Sequence, residues 1–190
     1  PTWAWWTCGG GCLAVLLVGL LLVFFVVGRV REATDPEKVW AEVAEVLPHD
    51  ERPAGWETML GGSVLGVGQY HLLPAEPSGC HFMIQIFPSA SMLDPNFDPD
   101  APQNQGAFGV GRLREAEQGT FVLQGREVRS LSFLGGTGSG SGGAGLRLDL
   151  SGGEAGPHVF VQILTPTRGE KLSNEEIEHL FAPFDVWRGR

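Results

Sequence analysis

Three residues have types and spacing that suggest nucleophilic or metal chemistry: His71, Cys80 and His81. They fall in two apolar segments, Ser63–Leu73 and Cys80–Phe87, separated by the turn-forming stretch Pro74–Gly79. If those segments pair across the turn, two of the three side chains approach one another. A thiol beside an imidazole is a nucleophile with its base, or half of a zinc site. Zinc would still lack two ligands, and no C-x-x-C or H-x-x-x-H supplies them. The plainer explanation of Cys80, at the head of an apolar strand, is a small core residue.

A second constellation is Asp94-Pro-Asn96-Phe-Asp98-Pro-Asp100, which places an oxygen ligand at every second residue. That spacing suits a hard cation such as calcium. The EF-hand pattern fails, because Pro99 replaces the turn glycine and Gln105 stands where a bidentate Glu is required. An acidic, solvated loop accounts for the same residues. A third segment, Gly138-Ser-Gly140-Ser-Gly-Gly143, formally matches G-x-G-x-x-G. A dinucleotide site needs that turn to open a helix, whereas here Leu146-Arg-Leu-Asp-Leu150 follows with the alternation of a strand. No G-x-S-x-G, H-E-x-x-H or S-x-x-K is present. The expectation is therefore a protein without an assigned catalytic, cofactor or metal residue. His71, Cys80 and His81 are the first suspects for chemistry, and Asp94, Asn96, Asp98 and Asp100 for a cation.

The elements that must position these residues are legible at both ends of the domain. Asp35 is a good N-cap, Pro36 suits the first helical turn, and Val39, Trp40, Val43, Val46 and Leu47 share one face. A short helix over 36–47 follows, stopped by Pro48. Near the C-terminus Ser173 and Glu176 form an S-x-x-E capping box, with Leu172 and Ile177 as its hydrophobic staple. Ile177, Leu180, Phe181 and Phe184 supply the inward face, and Pro183 ends the helix. Between the helices lie strands: 63–73, 80–87, a hairpin turning near Gly125 with arms from Phe121 and to Leu134, then 146–150 and 158–164. Two segments lack periodicity, Pro88–Gly106 and the glycine–serine stretch Gly135–Gly145, and are expected to be flexible. No helical crossover of ten residues separates the strands, so the sheet is expected to be antiparallel. The fold class is α+β, with an antiparallel sheet of about six strands flanked by an N-terminal and a C-terminal helix.

Ahead of this domain, residues Gly9–Gly28 run twenty positions without a charge. As a helix they span about 30 Å, the hydrocarbon thickness of a bilayer. Trp3, Trp5 and Trp6 precede the run and Arg29 and Arg31 close it, as at a membrane interface. No A-x-A site follows the run and no cysteine stands behind it, so an uncleaved signal-anchor over residues 10–28 is expected, not a signal peptide. The division is residues 1–31 as anchor and 32–190 as one domain. Counted literally, Arg29 and Arg31 place the domain on the cytoplasmic side. Because the chain starts at Pro1 and not Met, basic residues upstream would reverse that count. A short anchor followed by one globular domain is a common exported layout, and the domain is expected on the extracytoplasmic side of the cell membrane.

Residues 32–190 hold 11 basic against 22 acidic residues. That is the wrong sign for nucleic acid, so none is expected as a partner. The partners expected are the lipid bilayer, through residues 10–28, and a protein. Cys8 and Cys12 stand at the start of the apolar run, either as small residues of a Gly-rich helix start or as sites of acylation or cross-linking. Cys80 is alone in the domain, so no intradomain disulfide is available.

The Gly-Cys-rich anchor start, D-P-E-K-V-W at 35–40, V-L-P at 46–48 and S-N-E-E-I-E at 173–178 together define a layout over most of the chain. It resembles uncharacterised bacterial single-pass membrane proteins with one small α+β domain. That resemblance implies a membrane position and brings no activity with it. The helix–sheet–helix order is also similar to the PsbP-like α+β fold. A non-enzymatic module at the cell envelope is the leading expectation. An enzyme with a fold-assembled Cys/His site, and a self-association role through the anchor or the sheet edges, are the alternatives.

Overall fold

A computed structural model describes residues 17–20, 28, 32–76, 79–102, 104, 113–135, 143–152, 157–165 and 169–189. Helix α1 (Pro36–Val46) starts where the sequence places it. The Asp35 carboxylate accepts the Glu37 amide hydrogen at 3.1 Å, and Pro36 occupies the first turn. Seven strands follow: β1 (Glu57–Val64), β2 (Val67–Leu73), β3 (His81–Phe87), β4 (Leu113–Leu123), β5 (Arg126–Gly135), β6 (Ala144–Asp149) and β7 (His158–Thr165). A one-turn helix α2 (Ala90–Leu93) and a 3-10 turn (Asp94–Asn96) lie between β3 and β4, and α3 (Asn174–Phe181) closes the domain. The α3 capping box forms, with Ser173 Oγ accepting from Glu176 N and the Glu176 carboxylate accepting from Ser173 N.

The strands form one sheet in the order β1-β2-β3-β7-β6-β5-β4, every neighbouring pair antiparallel. Two meanders, β1–β3 and β4–β7, are thus joined along β3 and β7. The expected antiparallel α+β architecture holds, but the sheet has seven strands and not six. The segment 63–73 is not one strand. It reverses at Leu65–Gly66, both at positive φ, and its first residues finish β1. The connection after β3 carries the chain to the opposite edge of the sheet, where β4 begins.

One face of the sheet packs against α1 and α3. Val39, Trp40, Val43 and Leu47 from α1 and its C-terminal end meet Tyr70, Leu72, Phe82, Ile84, Val161 and Ile163, together with Ile177, Leu180 and Phe181 from α3. Trp56, Phe82, Phe181 and Phe184 make edge-on ring contacts at 5.2–5.3 Å between centroids. The helix sits so close to β1 that a Cβ on Gly61 would fall 2.9 Å from the Val39 side chain and 2.6 Å from the Tyr70 ring. Glycine is required there for α1 to dock.

The other face is covered on one half only. Leu93, Phe97, Leu113, Leu131, Phe133 and Phe160 form a second buried cluster, contributed by the segment after β3 and by β4, β5 and β7. Residues 88–102, which show no periodicity in sequence, are therefore a packed cover, with Leu93, Phe97 and Ala101 buried. The G-x-G-x-x-G segment joins two antiparallel neighbours, β5 and β6, and residues 136–142 lie outside the described residues.

Most of the apolar run at 10–28 also lies outside them. Residues 17–20 and 28 are helical, and no helix among the described residues is long and apolar enough to cross a membrane.

Candidate functional site

Alternation along the strands decides which candidate residues meet. Successive side chains of an extended strand point to opposite faces. Cys80 lies in the helix-side core at 1 % exposure, packed with the Phe82 and Leu72 cluster. Its neighbour His81 therefore points to the opposite face, and His71, in register with Met83, points there too. The structure brings the two histidines to one face and leaves the thiol on the other. Burial pushes the Cys80 thiol up to about 12, so it is protonated at neutral pH. A Cys80–histidine nucleophile pair is not formed.

Three of the four oxygen-bearing side chains of the 94–100 segment are engaged in local contacts. Asp94 pairs with Arg129 at 2.8 Å. The Asn96 side chain donates to Met92 and Leu93 carbonyls at 3.3 and 3.2 Å. Asp98 accepts the Asp100 amide hydrogen at 3.0 Å. Among the described residues no group of three or more His, Cys, Asp or Glu is placed to hold a metal ion.

What the two histidines join is the uncovered half-face of β1–β3. Strand register lines up Leu60, His71, Met83 and Gln162 in one row across the sheet, with Gln69 beside Gln85 in the next. The Gln69 amide nitrogen lies 2.6 Å from His71 Nε2 and 3.5 Å from the Met83 sulfur. The His71 imidazole titrates below its ordinary value, first because it is half-buried and second because of the charge of His81. It is therefore neutral at pH 7 and offers one donor and one acceptor nitrogen. At the β1 edge this surface opens into a cavity of about 560 Å³, lined by Glu32, Ala33, Leu60, Val64, Gln69 and His71 among others. Behind β1, Tyr70 Oη donates to the Glu42 carboxylate at 2.8 Å, and burial together with that carboxylate raises the phenol's pKa.

The border of the open half-face is Arg147, which the sequence did not single out. Its guanidinium is buried, with Nε donating to Gln162 Oε1 at 2.8 Å and Nη1 to Asn96 O and Asn104 Oδ1 at 2.7 Å each. It stacks near the Phe133 and Phe160 rings, 5.0 and 5.9 Å from their centroids. Burial lowers its pKa to about 10, which leaves it charged at neutral pH. Asn104, 1 % exposed, also donates to Pro95 O and Asp98 O at 3.0 and 2.7 Å. Arg147 and Asn104 thus pin the cover to the sheet. The L-R-L-D-L alternation of β6 hid this, because an arginine on the polar side of a strand usually faces water.

Neither a protein-family model nor any curated protein matches the sequence.

Amide and imidazole groups beside exposed aliphatic side chains can hydrogen-bond and bury a ligand. They supply no activated nucleophile at this face among the described residues. The arrangement is suited to binding.

Proposed function

We propose that the chain is a membrane-tethered, non-enzymatic α+β module of the cell envelope. Residues 10–28 hold it in the bilayer, and the open half-face of β1–β3 takes a protein or small ligand. The observation that carries this reading is the half-face itself. Gln69, His71, His81 and Gln85 lie on it beside Leu60 and Val64, which are 46 % and 60 % exposed, at the rim of the edge cavity. The tether is supported by the uncharged run and by Leu17, Val18 and Leu20, each more than half exposed on helical backbone. Exposed aliphatic residues in such a run fit a lipid environment.

Two experiments test the two parts. Carbonate-washed membranes are expected to retain the full chain, and recovery of a soluble form starting near residue 30 would show a cleaved signal instead. A photo-cross-linking residue at Gln69, used in intact cells, is expected to give a discrete adduct, with none from the same group at Glu178 on α3. Equal labelling from both positions would remove the half-face as the binding surface.

Self-association is a second reading, favoured by one observation. β1 is an edge strand, and no Asp, Glu, Lys or Arg stands between Glu57 and Glu76. An uncharged edge is open to pairing with another strand. Sedimentation that depends on concentration, and is abolished by Leu60→Lys, is the expected mark of that role.

A further inference from the structure

The β1–β2 hairpin ends in a turn whose leucine side chain lies in solvent. Leu65 and Gly66 have φ of 53° and 81°, the left-handed geometry of a two-residue hairpin loop in which Asn, Asp and Gly are the ordinary choices. Leu65 is 96 % exposed, between Val64 and Val67 at 60 % and 40 %. A leucine in this conformation is sterically strained, and at this exposure it recovers nothing by burial.

The position of the tip supplies a reason. Val39, near the start of α1, packs at Gly61 of β1, and Glu42, one turn later, reaches Tyr70, the residue paired with Gly61. Glu32 and Ala33, just before α1, line the same cavity as Val64 at the end of β1. The start of α1 and the hairpin tip therefore lie at one end of the sheet. The uncharged run ends at Gly28, four residues before Glu32. Four residues span at most about 14 Å. The end of the run therefore lies within about 14 Å of Glu32, at the hairpin end of the sheet. The tip also lacks charge, in a domain that is otherwise acidic and repelled by anionic headgroups.

We infer that the β1–β2 hairpin tip is a second membrane contact: Leu65, flanked by Val64 and Val67, inserts into the interfacial layer of the bilayer that holds residues 10–28. The inference rests on the tether proposed above. Two points of attachment fix the tilt of the domain, hairpin end down, and turn the Gln69–His71 face sideways along the membrane. Insertion removes the exposed aliphatic surface of the tip from water.

The test uses the full chain with Cys8→Ser, Cys12→Ser and Leu65→Cys, labelled with a polarity-sensitive fluorophore. The buried, protonated Cys80 is spared by the reagent. The control is Glu76→Cys in the turn at the other end of β2, labelled in the same way. Both are reconstituted in phosphatidylcholine–phosphatidylethanolamine vesicles, with and without nitroxide-bearing lipid. The expected result is a blue shift and loss of most emission to the nitroxide lipid at position 65, with neither change at position 76. A chain that stays in the vesicles while position 65 behaves like position 76 overturns the tip contact and leaves the tether standing. A blue shift without quenching by the lipid also overturns it, since the tip is then covered by a second copy or by another part of the chain. A chain that does not stay with the vesicles overturns the tether, and the tip contact with it.

Discussion

The same two-residue turn occurs at two hairpins of this sheet and is used in opposite ways. At β4–β5, Gln124 and Gly125 have φ of 47° and 81°. The strained Gln124 donates to the Phe181 and Phe184 carbonyls at 3.2 and 2.6 Å and accepts from Val186 N at 3.1 Å. It ties the segment after α3 to the sheet. At β1–β2 the equivalent residue is Leu65, almost fully exposed. The contrast extends to the halves the hairpins belong to. In the β4–β7 half, β5 to β7 are mostly buried while β4 is largely exposed, and the buried Arg147 of β6 is hydrogen-bonded to Asn104 of the cover. In the β1–β3 half, Met83 and Phe87 of β3 pack against the cover, while the β1 edge carries Met59, Leu60 and Val64 exposed. The Gln124 turn is held by internal contacts, whereas the Leu65 turn is almost fully exposed.

The largest difference between the halves is expected at Asn104. Asn104→Ala removes three hydrogen bonds and leaves a buried guanidinium short of one acceptor, at about 3 kcal/mol. Gln85→Ala on the open half should stay within about 0.5 kcal/mol. Urea unfolding of residues 32–190, the span that holds both cores, measures both changes; equal effects would erase the distinction. Next is Gln124→Ala, which should cost about 2 kcal/mol by releasing the segment after α3. Thermal unfolding checks it, and earlier proteolysis near Val186 should accompany it. Ser173→Ala should cost about 1 kcal/mol through loss of the N-cap, a local effect that calibrates the other two. The smallest effect is at His71. The fold favours its neutral form, so its contribution is complete above its ordinary value near 6.5 and is lost as pH falls below it. His71→Gln should flatten the stability profile in that window, as seen by unfolding at pH 7.5 and 5.5.

Legibility in the sequence followed the same divide between local and long-range causes. Asp35–Pro36 and Ser173–Glu176 act within one helical turn, and both helices start where those residues place them. The strand at His81–Phe87 was visible from its apolar run. Gly125 marked one hairpin, but Leu65–Gly66 was hidden, because leucine is no turn former and lies among four glycines and apolar residues that suit a strand. Residues 88–102 and Asn104 pack largely through irregular backbone, so Leu93, Phe97 and Asn104 follow no period. Of the candidate site, the sequence points to His71 and His81 but not to Gln69 and Gln85 on the same face, since glutamine in a strand carries no signal of its own. Nearness in sequence groups Cys80 with the histidines, and strand alternation separates them.

At its left-handed, exposed position Leu65 costs the domain stability, and its use lies in a contact outside the domain. The direct measurement is urea unfolding of residues 32–190 carrying Leu65→Asn, beside the same span carrying Gln124→Asn. Asparagine tolerates the left-handed conformation at both turns. The expected result is opposite signs: Leu65→Asn stabilises by about 0.5–1 kcal/mol as strain is relieved, and Gln124→Asn destabilises as its three bonds are lost. Destabilisation by both, to a similar degree, would mean that Leu65 is held by the domain like Gln124 and not spared for a contact outside it.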